Sequence, residues 1–225
     1  MSPVGTGART PKGEAVTDLS KMNPHAIPAW KGATYNGFIR NNTRGLDVAV
    51  ELGAGVFHNF AHIASRIKVG IELIPEYVEA RAYKGPNIVA LNGNALEFDK
   101  LLAEAGVDAV DVFIMCDFLE HIDKDDAVEL IARLKAYGNR IIIFVPGGTC
   151  NQHGHEHHTF GDKVQFRNED SAIEAQRHKS TWFKEDLEAL EFVVDETLNY
   201  HNPDKDREKF GEDGGSVLWA VWNSQ

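Results

Sequence analysis

Cysteine is nearly absent from this 225-residue chain. Cys116 and Cys150 are the only two, which fits neither a disulfide framework nor a zinc-finger spacing. No apolar run approaches the roughly 20 residues that carry a helix across a bilayer, and the opening stretch MSPVGTGARTPKGEAVTD lacks the apolar core of an export signal. A reducing cytoplasm is therefore the expected location, with no membrane partner. Positive charge is also scarce. Lys and Arg number 23 against 34 Asp and Glu, a formal net charge of −11. A basic stripe that neutralises phosphates is thus not expected, so nucleic acid is set aside as a partner in favour of a small-molecule substrate. A homo-oligomer is compatible with the sequence.

What is present reads as one well-buried domain: 43% hydrophobic and 25% charged residues over a sufficient length. Residues 1–20, rich in Gly, Thr and Pro, are expected to form a flexible tail. Residues 21–225 are expected to form a single domain. Within it, 21–45, with Trp30, Tyr35 and Phe38, reads as a partly helical cap segment.

From Leu46 the pattern becomes regular. Leu46–Leu52 is an apolar run ending in a Gly-rich turn, as expected of a buried parallel strand. Phe60, Ile63, Ala64 and Ile67 recur at helical spacing. Lys68–Glu72 is a second strand, and Pro75 suits the first turn of a helix. Asn87–Leu91 is a third strand, and Leu96–Ala105 a helix capped by Gly106. Val110–Cys116 is a fourth strand. A helix begins near Asp123 and Asp126, presents Val128, Ile131 and Leu134, and ends at Gly138. Arg140–Val145 is a fifth strand, stopped by Pro146. Five strands alternating with helices predict an α/β, Rossmann-like doubly wound sheet, mostly parallel. The rhythm is lost from Gly147 to about Lys179, and the insert 149–179 reads as a lid. A helix at Lys184–Leu190 then precedes strands Glu191–Asn199 and Ser216–Trp222, expected as a long-looped antiparallel hairpin that completes seven strands.

The first strand ends in Glu51-Leu52-Gly53-Ala54-Gly55-Val56-Phe57. Glycines there let the backbone approach a ligand at the sheet's C-terminal edge. A dinucleotide fingerprint needs a third glycine at position 58, which is His58. Glu51 would repel a pyrophosphate but suits an amino-acid ammonium group. At the end of the second strand, Glu72 is placed to accept hydrogen bonds from ribose hydroxyls.

The segments VAVELGAG, VGIELIPEYVEAR, NGNALEF, DVFIMCDFLEHI and IIIFVPGG, in that order over residues 47–148, resemble the motifs of class I S-adenosylmethionine-dependent methyltransferases. The resemblance implies methyl transfer with S-adenosyl-L-methionine as cofactor. Glu51, Gly53, Ala54 and Gly55 would line its methionine part, Glu72 and Leu73 its ribose, Asn94 and Ala95 its adenine. Asp117 and Phe118 would begin the loop under the sulfonium. Two positions depart from the family. Phe57 replaces the usual third glycine and is expected to narrow the pocket, and Asn94 replaces an acidic residue, its carbonyl still able to meet the adenine amino group.

Three segments are candidates for the chemistry. Asp117-Phe118-Leu119-Glu120-His121 would bring Asp117, Glu120 and His121 onto neighbouring faces if it forms a helical turn. His121, with Asp117 beside it, could then act as a base. The D-x-x-E-H pattern also resembles the metal site of ubiquinone-pathway O-methyltransferases, which would imply a divalent cation on Asp117, Glu120 and His121. A helix cap is the structural alternative. The run His153-Gly154-His155-Glu156-His157-His158 could bind a transition metal, contact substrate through His153, His155 and His158, or stay solvated. His178-Lys179-Ser180-Thr181-Trp182 resembles an H-x-S-x-W segment of small-molecule and sugar-modifying methyltransferases. By that resemblance His178 would face the acceptor and Trp182 would pack in the core. Tyr35, in the cap segment, is a further substrate candidate. Together these favour transfer to a small-molecule or glycan-like acceptor, at oxygen. A metalloenzyme centred on 153–158, a nicotinamide oxidoreductase and a non-catalytic binder of the cofactor are the rivals.

Overall fold

The computed structural model describes residues 34–148, 164–198 and 216–224. The tail 1–20, the first part of the cap segment and the histidine-rich run 153–158 lie outside them. Seven strands form one sheet: β1 (Val48–Leu52), β2 (Ile67–Glu72), β3 (Ile88–Asn92), β4 (Val112–Cys116), β5 (Arg140–Gly147), β6 (Val193–Leu198) and β7 (Ser216–Asn223). Their order is β3-β2-β1-β4-β5-β7-β6. All pairings are parallel except those of β7, which runs antiparallel to both β5 and β6. This is the expected Rossmann-like sheet with its C-terminal hairpin.

Both faces of the sheet are covered, which is why its central strands read as continuous apolar runs. Val50, Leu52, Phe113, Met115, Ile141 and Ile143 face one side, against Phe98 and Leu102 of α3 (Phe98–Glu104) and Leu130, Ile131 and Leu134 of α4 (Lys124–Tyr137). Ala49, Ile114, Cys116, Ile142 and Phe144 face the other, against Phe38 and Ile39 of α1 (Tyr35–Thr43) and the rings of Phe57 and Phe60. The strand order reverses between β1 and β4. In such sheets ligands bind outside the carboxyl ends of the strands at that point.

Several expectations are corrected. The helix over Phe60–Ile67 is a single 3₁₀ turn, His58–Ala61, and Ile67 already belongs to β2. Beyond the turn, the Ala64 amide donates to the Thr43 hydroxyl (2.8 Å) and the Arg66 amide to the Leu46 carbonyl (3.1 Å). The apolar spacing comes from Phe60 in the turn, Ile63 in the loop and Ile67 in the strand, while Ala64 is exposed. In α4 the buried face is Ala127, Leu130, Ile131 and Leu134, while Val128 is 37% exposed. Ile131 and Leu134 face the core as expected, and Ala127 and Leu130 take the place expected of Val128. Pro146 does not stop β5. The β4 pairing has already ended at Cys116↔Phe144, and β5 continues on β7 as far as Gly147. Inside the presumed lid lies a helix, α5 (Glu169–Ala175), capped by the Asn168 side chain accepting from the Ser171 amide at 3.1 Å.

The α5 segment docks on α2 (Pro75–Ala80). Val56, Ile74, Tyr77 and Ala172 form a small separate core with Phe166 against it. Gln176 donates to the Tyr77 hydroxyl (2.7 Å), and Arg167 pairs with Glu79. Residues 164–177 are thereby tied to the strand end that carries Glu72.

Candidate active site

The turn after β1 requires its glycines. Gly53 and Gly55 have φ of 69° and 54°, a region that glycine enters without steric cost. A Cβ on Gly53 would lie 2.5 Å from the ring of Phe118, so the two motifs meet there. Phe57 also stands at positive φ, 65°. Its ring is fully buried, and a Cβ on Gly70 of β2 would overlap it. Gly70 is the glycine that this phenylalanine demands.

Glu51 is 1% exposed. Its Oε1 accepts from Asn59 Nδ2 at 2.6 Å, and that amide also donates to the Tyr35 hydroxyl at 3.0 Å. Its Oε2 has no hydrogen-bond partner. Burial lifts the carboxyl to about 8, against the pull of the Asn59 hydrogen bond. An unpartnered buried carboxylate oxygen is costly unless a cation meets it. The donor set therefore fits an ammonium group. Tyr35, expected at the substrate, stands in this network, its ring edge-on to Phe144 at 4.8 Å. Asn59 gave no signal in the sequence, because it stands outside the motifs, just before the Phe60–Ile67 spacing that read as a helix.

Glu72 is buried and accepts from the amides of Gly55 and Ile74, both at 2.8 Å. Burial raises its carboxyl, opposed by those amides and that of Leu73. It thus fixes the glycine turn to the end of β2, and each carboxylate oxygen keeps a lone pair for a ribose hydroxyl. Leu73 beside it is 53% exposed. Asn94 is exposed, its side chain taking the Leu96 amide at 3.0 Å, and Ala95 is buried at the following turn.

At the end of β4, Asp117 takes a left-handed backbone (φ 50°) with its amide on the Phe144 carbonyl. The expected helical turn starting at Asp117 is absent. A 3₁₀ turn spans only Leu119–His121. The donor atoms lying within 4.8 Å of one another belong to Glu120, His121 and His178, and Asp117 is outside that group. The rings of His121 and His178 are edge-on at 5.0 Å. Glu120 is 1% exposed, and its Oε2 and the Nδ1 of His121 have no hydrogen-bond partner. Burial, then the charge of Asp117, pushes the Glu120 carboxyl well above its usual range. Burial, then His178, lowers His121 to about 4, against the neighbouring carbonyls of Arg177 and Gln176. A buried acid with an orphaned oxygen beside two imidazoles fits a divalent cation of the borderline or hard kind. Trp182 is fully buried, as expected.

The fold is that of class I S-adenosylmethionine-dependent methyltransferases. The small RNA methyltransferase HEN1 superposes with a TM-score of 0.54 at 16% identity, over 84% of this chain and 24% of that one. A SAM-dependent methyltransferase from Anabaena variabilis gives 0.53 at 16% identity, over 80% and 77%. The methyltransferase domain of bacterial CtHen1-CN gives 0.50 at 13% identity, over 79% and 90%. The chain thus spans about a quarter of the length of HEN1. Neither a family model nor a curated protein matches the sequence. Among the described residues no helix is long and apolar enough to cross a membrane.

Proposed function

We propose that this chain is a methyltransferase that uses S-adenosyl-L-methionine and acts on an oxygen of a small-molecule or glycan-like acceptor, with a divalent cation at Glu120, His121 and His178. One observation carries the proposal. At the C-terminal edge of the sheet, the orphaned oxygen of buried Glu51 lies on the strand next to β4, and the turn after β4 carries Glu120 and His121, which His178 joins from a later segment. Two cation-seeking sites flank the switch point.

The cofactor, when bound, supplies a methyl group already activated by its sulfonium. Glu51 meets the ammonium, Gly53 and Gly55 admit the backbone to close approach, and Glu72 takes the ribose while pinning the turn. Phe118, packed on Gly53, closes the floor between the two halves. A divalent cation, when bound, supplies Lewis-acid activation of an acceptor hydroxyl. His121 is neutral above about pH 4, the form that accepts a proton or ligates a cation. Asp117, on the exposed shoulder of the turn, would stand nearest the sulfonium loop, and His178 would present its imidazole to the acceptor.

An RNA is a second acceptor class, favoured by the likeness to the small RNA methyltransferase HEN1 at TM-score 0.54. Vicinal ribose hydroxyls offer the same pair of oxygens as a glycan diol. The net charge of −11 weighs against a long nucleic-acid contact.

Calorimetric titration with S-adenosylmethionine and S-adenosylhomocysteine, with NADH as control and EDTA added in a parallel series, tests the proposal. Both sulfur ligands should bind and NADH should not. EDTA should abolish turnover of diol acceptors while leaving cofactor binding intact. Absence of binding at hundreds of micromolar would refute the cofactor assignment, and turnover indifferent to EDTA would refute the cation.

A further inference from the structure

Glu120 and His121 share one short turn, but His178 arrives from a segment 57 positions later. Residues 176–181 belong to no helix or strand, so no ladder sets where His178 stands. On its N-terminal side Gln176 is held by the Tyr77 hydroxyl, and on its C-terminal side the contacts cluster at Ser180. The amides of Lys179 and Ser180 both donate to the Glu120 carbonyl, at 2.7 and 3.2 Å. The Ser180 hydroxyl donates to the Leu119 carbonyl at 2.9 Å and accepts from the indole Nε1 of Trp182 at 3.0 Å. Trp182 is itself fixed. It is fully buried, bridges to Gly147 of β5, and its carbonyl accepts from the Gly148 amide at 2.8 Å. The hydroxyl thus stands between the turn that carries two members of the cation group and an indole anchored in the core, two residues from the third member.

We propose that Ser180 is the positioning residue of this group: its hydroxyl holds the His178 segment against the Leu119–His121 turn and sets the geometry of the three donors. This rests on the cation assignment above. Backbone amides would serve with any residue at these positions, whereas the hydroxyl is specific to serine or threonine. The three donor atoms lie within 4.8 Å of one another. Ligand distances of roughly 2.0–2.6 Å leave them little freedom to drift apart. Partners that orient ligands typically contribute about 10–100-fold to metal affinity.

The probe is Co²⁺ on the full chain, read by its visible d–d spectrum and by calorimetry, with S-adenosylhomocysteine binding and thermal melting in parallel. Ser180→Ala should weaken Co²⁺ at least about tenfold and change the spectrum, with S-adenosylhomocysteine affinity within threefold of wild type. Ser180→Thr, which keeps the hydroxyl, should restore the affinity. Trp182→Phe removes the indole donor but leaves the bond to Leu119. It should lower the melting temperature while holding Co²⁺ affinity within threefold. If Ser180→Ala does not fold, Ser180→Cys, a weaker donor, should give an intermediate loss. Unchanged affinity and spectrum in folded Ser180→Ala would overturn the role. So would losses in Ser180→Ala and Trp182→Phe that simply track their loss of stability. Failure of the wild-type chain to bind Co²⁺, or undiminished binding by His178→Ala, would instead sink the cation assignment and Ser180's role with it.

Discussion

The two halves of the site are assembled by opposite means. The proposed cofactor half is centred on residues 51–74, on the ends of the adjacent strands β1 and β2, and its parts are tied by contacts such as Glu72 to the Gly55 amide at 2.8 Å. The proposed cation half joins the turn after β4 to a segment with no ladder of its own, held by Ser180 and the Glu120 carbonyl. A site made from neighbouring strand ends inherits its geometry from the sheet. One made across more than fifty residues depends on a few specific side-chain bonds, and removing one member should leave the other half standing.

The sharpest way to break that contrast is His178→Ala. Loss of a direct donor should exceed the roughly 10–100-fold attributed to an orienting partner, so Co²⁺ affinity should fall more than about a hundredfold. S-adenosylhomocysteine affinity should stay within threefold. If both fall together, the halves are one cooperative unit and the contrast is wrong.

The reciprocal change is Glu51→Gln. A charge-assisted hydrogen bond contributes about 1.5–3 kcal/mol, so S-adenosylhomocysteine should bind roughly ten- to a hundredfold more weakly, with Co²⁺ unaffected. The unliganded variant should melt no lower than wild type near pH 8, because an unpartnered buried carboxylate has been replaced by a neutral amide. A variant that loses affinity and stability together would mark Glu51 as a structural acid.

The same contrast explains what was legible in the sequence. The cofactor half is written in contiguous motifs, so Glu51, Gly53, Gly55 and Glu72 could be picked out from spacing and residue type, and the sheet followed from alternating apolar runs. Asn59 could not be, because Phe60, Ile63 and Ile67 mimic the spacing of a helix, whereas the amides of Ala64 and Arg66 between them go to Thr43 and Leu46. The cation half was half legible. D-x-x-E-H pointed to the turn, yet the left-handed Asp117 and the shortness of the 3₁₀ turn leave Asp117 out and bring His178 in. No local pattern encodes a neighbour 57 residues away. The setting of Phe57 was hidden for a similar reason: only the partner strand shows that Gly70 makes room for its ring.

The pH response sharpens the comparison further. Glu51's carboxyl stands near 8 in the unliganded fold against an ordinary 4.5. A ligand ammonium needs the ionised form, so binding must expel a proton at neutral pH. S-adenosylhomocysteine affinity should drop roughly tenfold between about pH 7.5 and 6.5, with proton release detectable in buffers of different ionisation enthalpy. Stability runs the other way. Because the folded value is raised, the unliganded protein holds the extra proton between about 4.5 and 8. It loses stability as pH rises through that window, by a few kcal/mol at most at about 1.4 kcal/mol per unit. Glu51→Gln should flatten both profiles. A pH-independent affinity in the wild type would rule out an ionic role for Glu51.

The smallest expected effect lies outside the site and tests the frame that carries the cation turn. Helix α4 starts just beyond His121, and its phase decides how that turn meets the sheet. If Ala127, Leu130, Ile131 and Leu134 are the buried stripe, Val128 contributes little. Val128→Ser should then change stability by no more than about 0.5 kcal/mol, as surface substitutions do. Leu130→Ala, one turn face over, should cost about 2–5 kcal/mol through lost burial and a cavity. Paired denaturant melts read both. Equal losses would mean that α4 is rotated by about one residue, with Val128 inward, and the placement of Glu120 and His121 at its start would have to be redrawn.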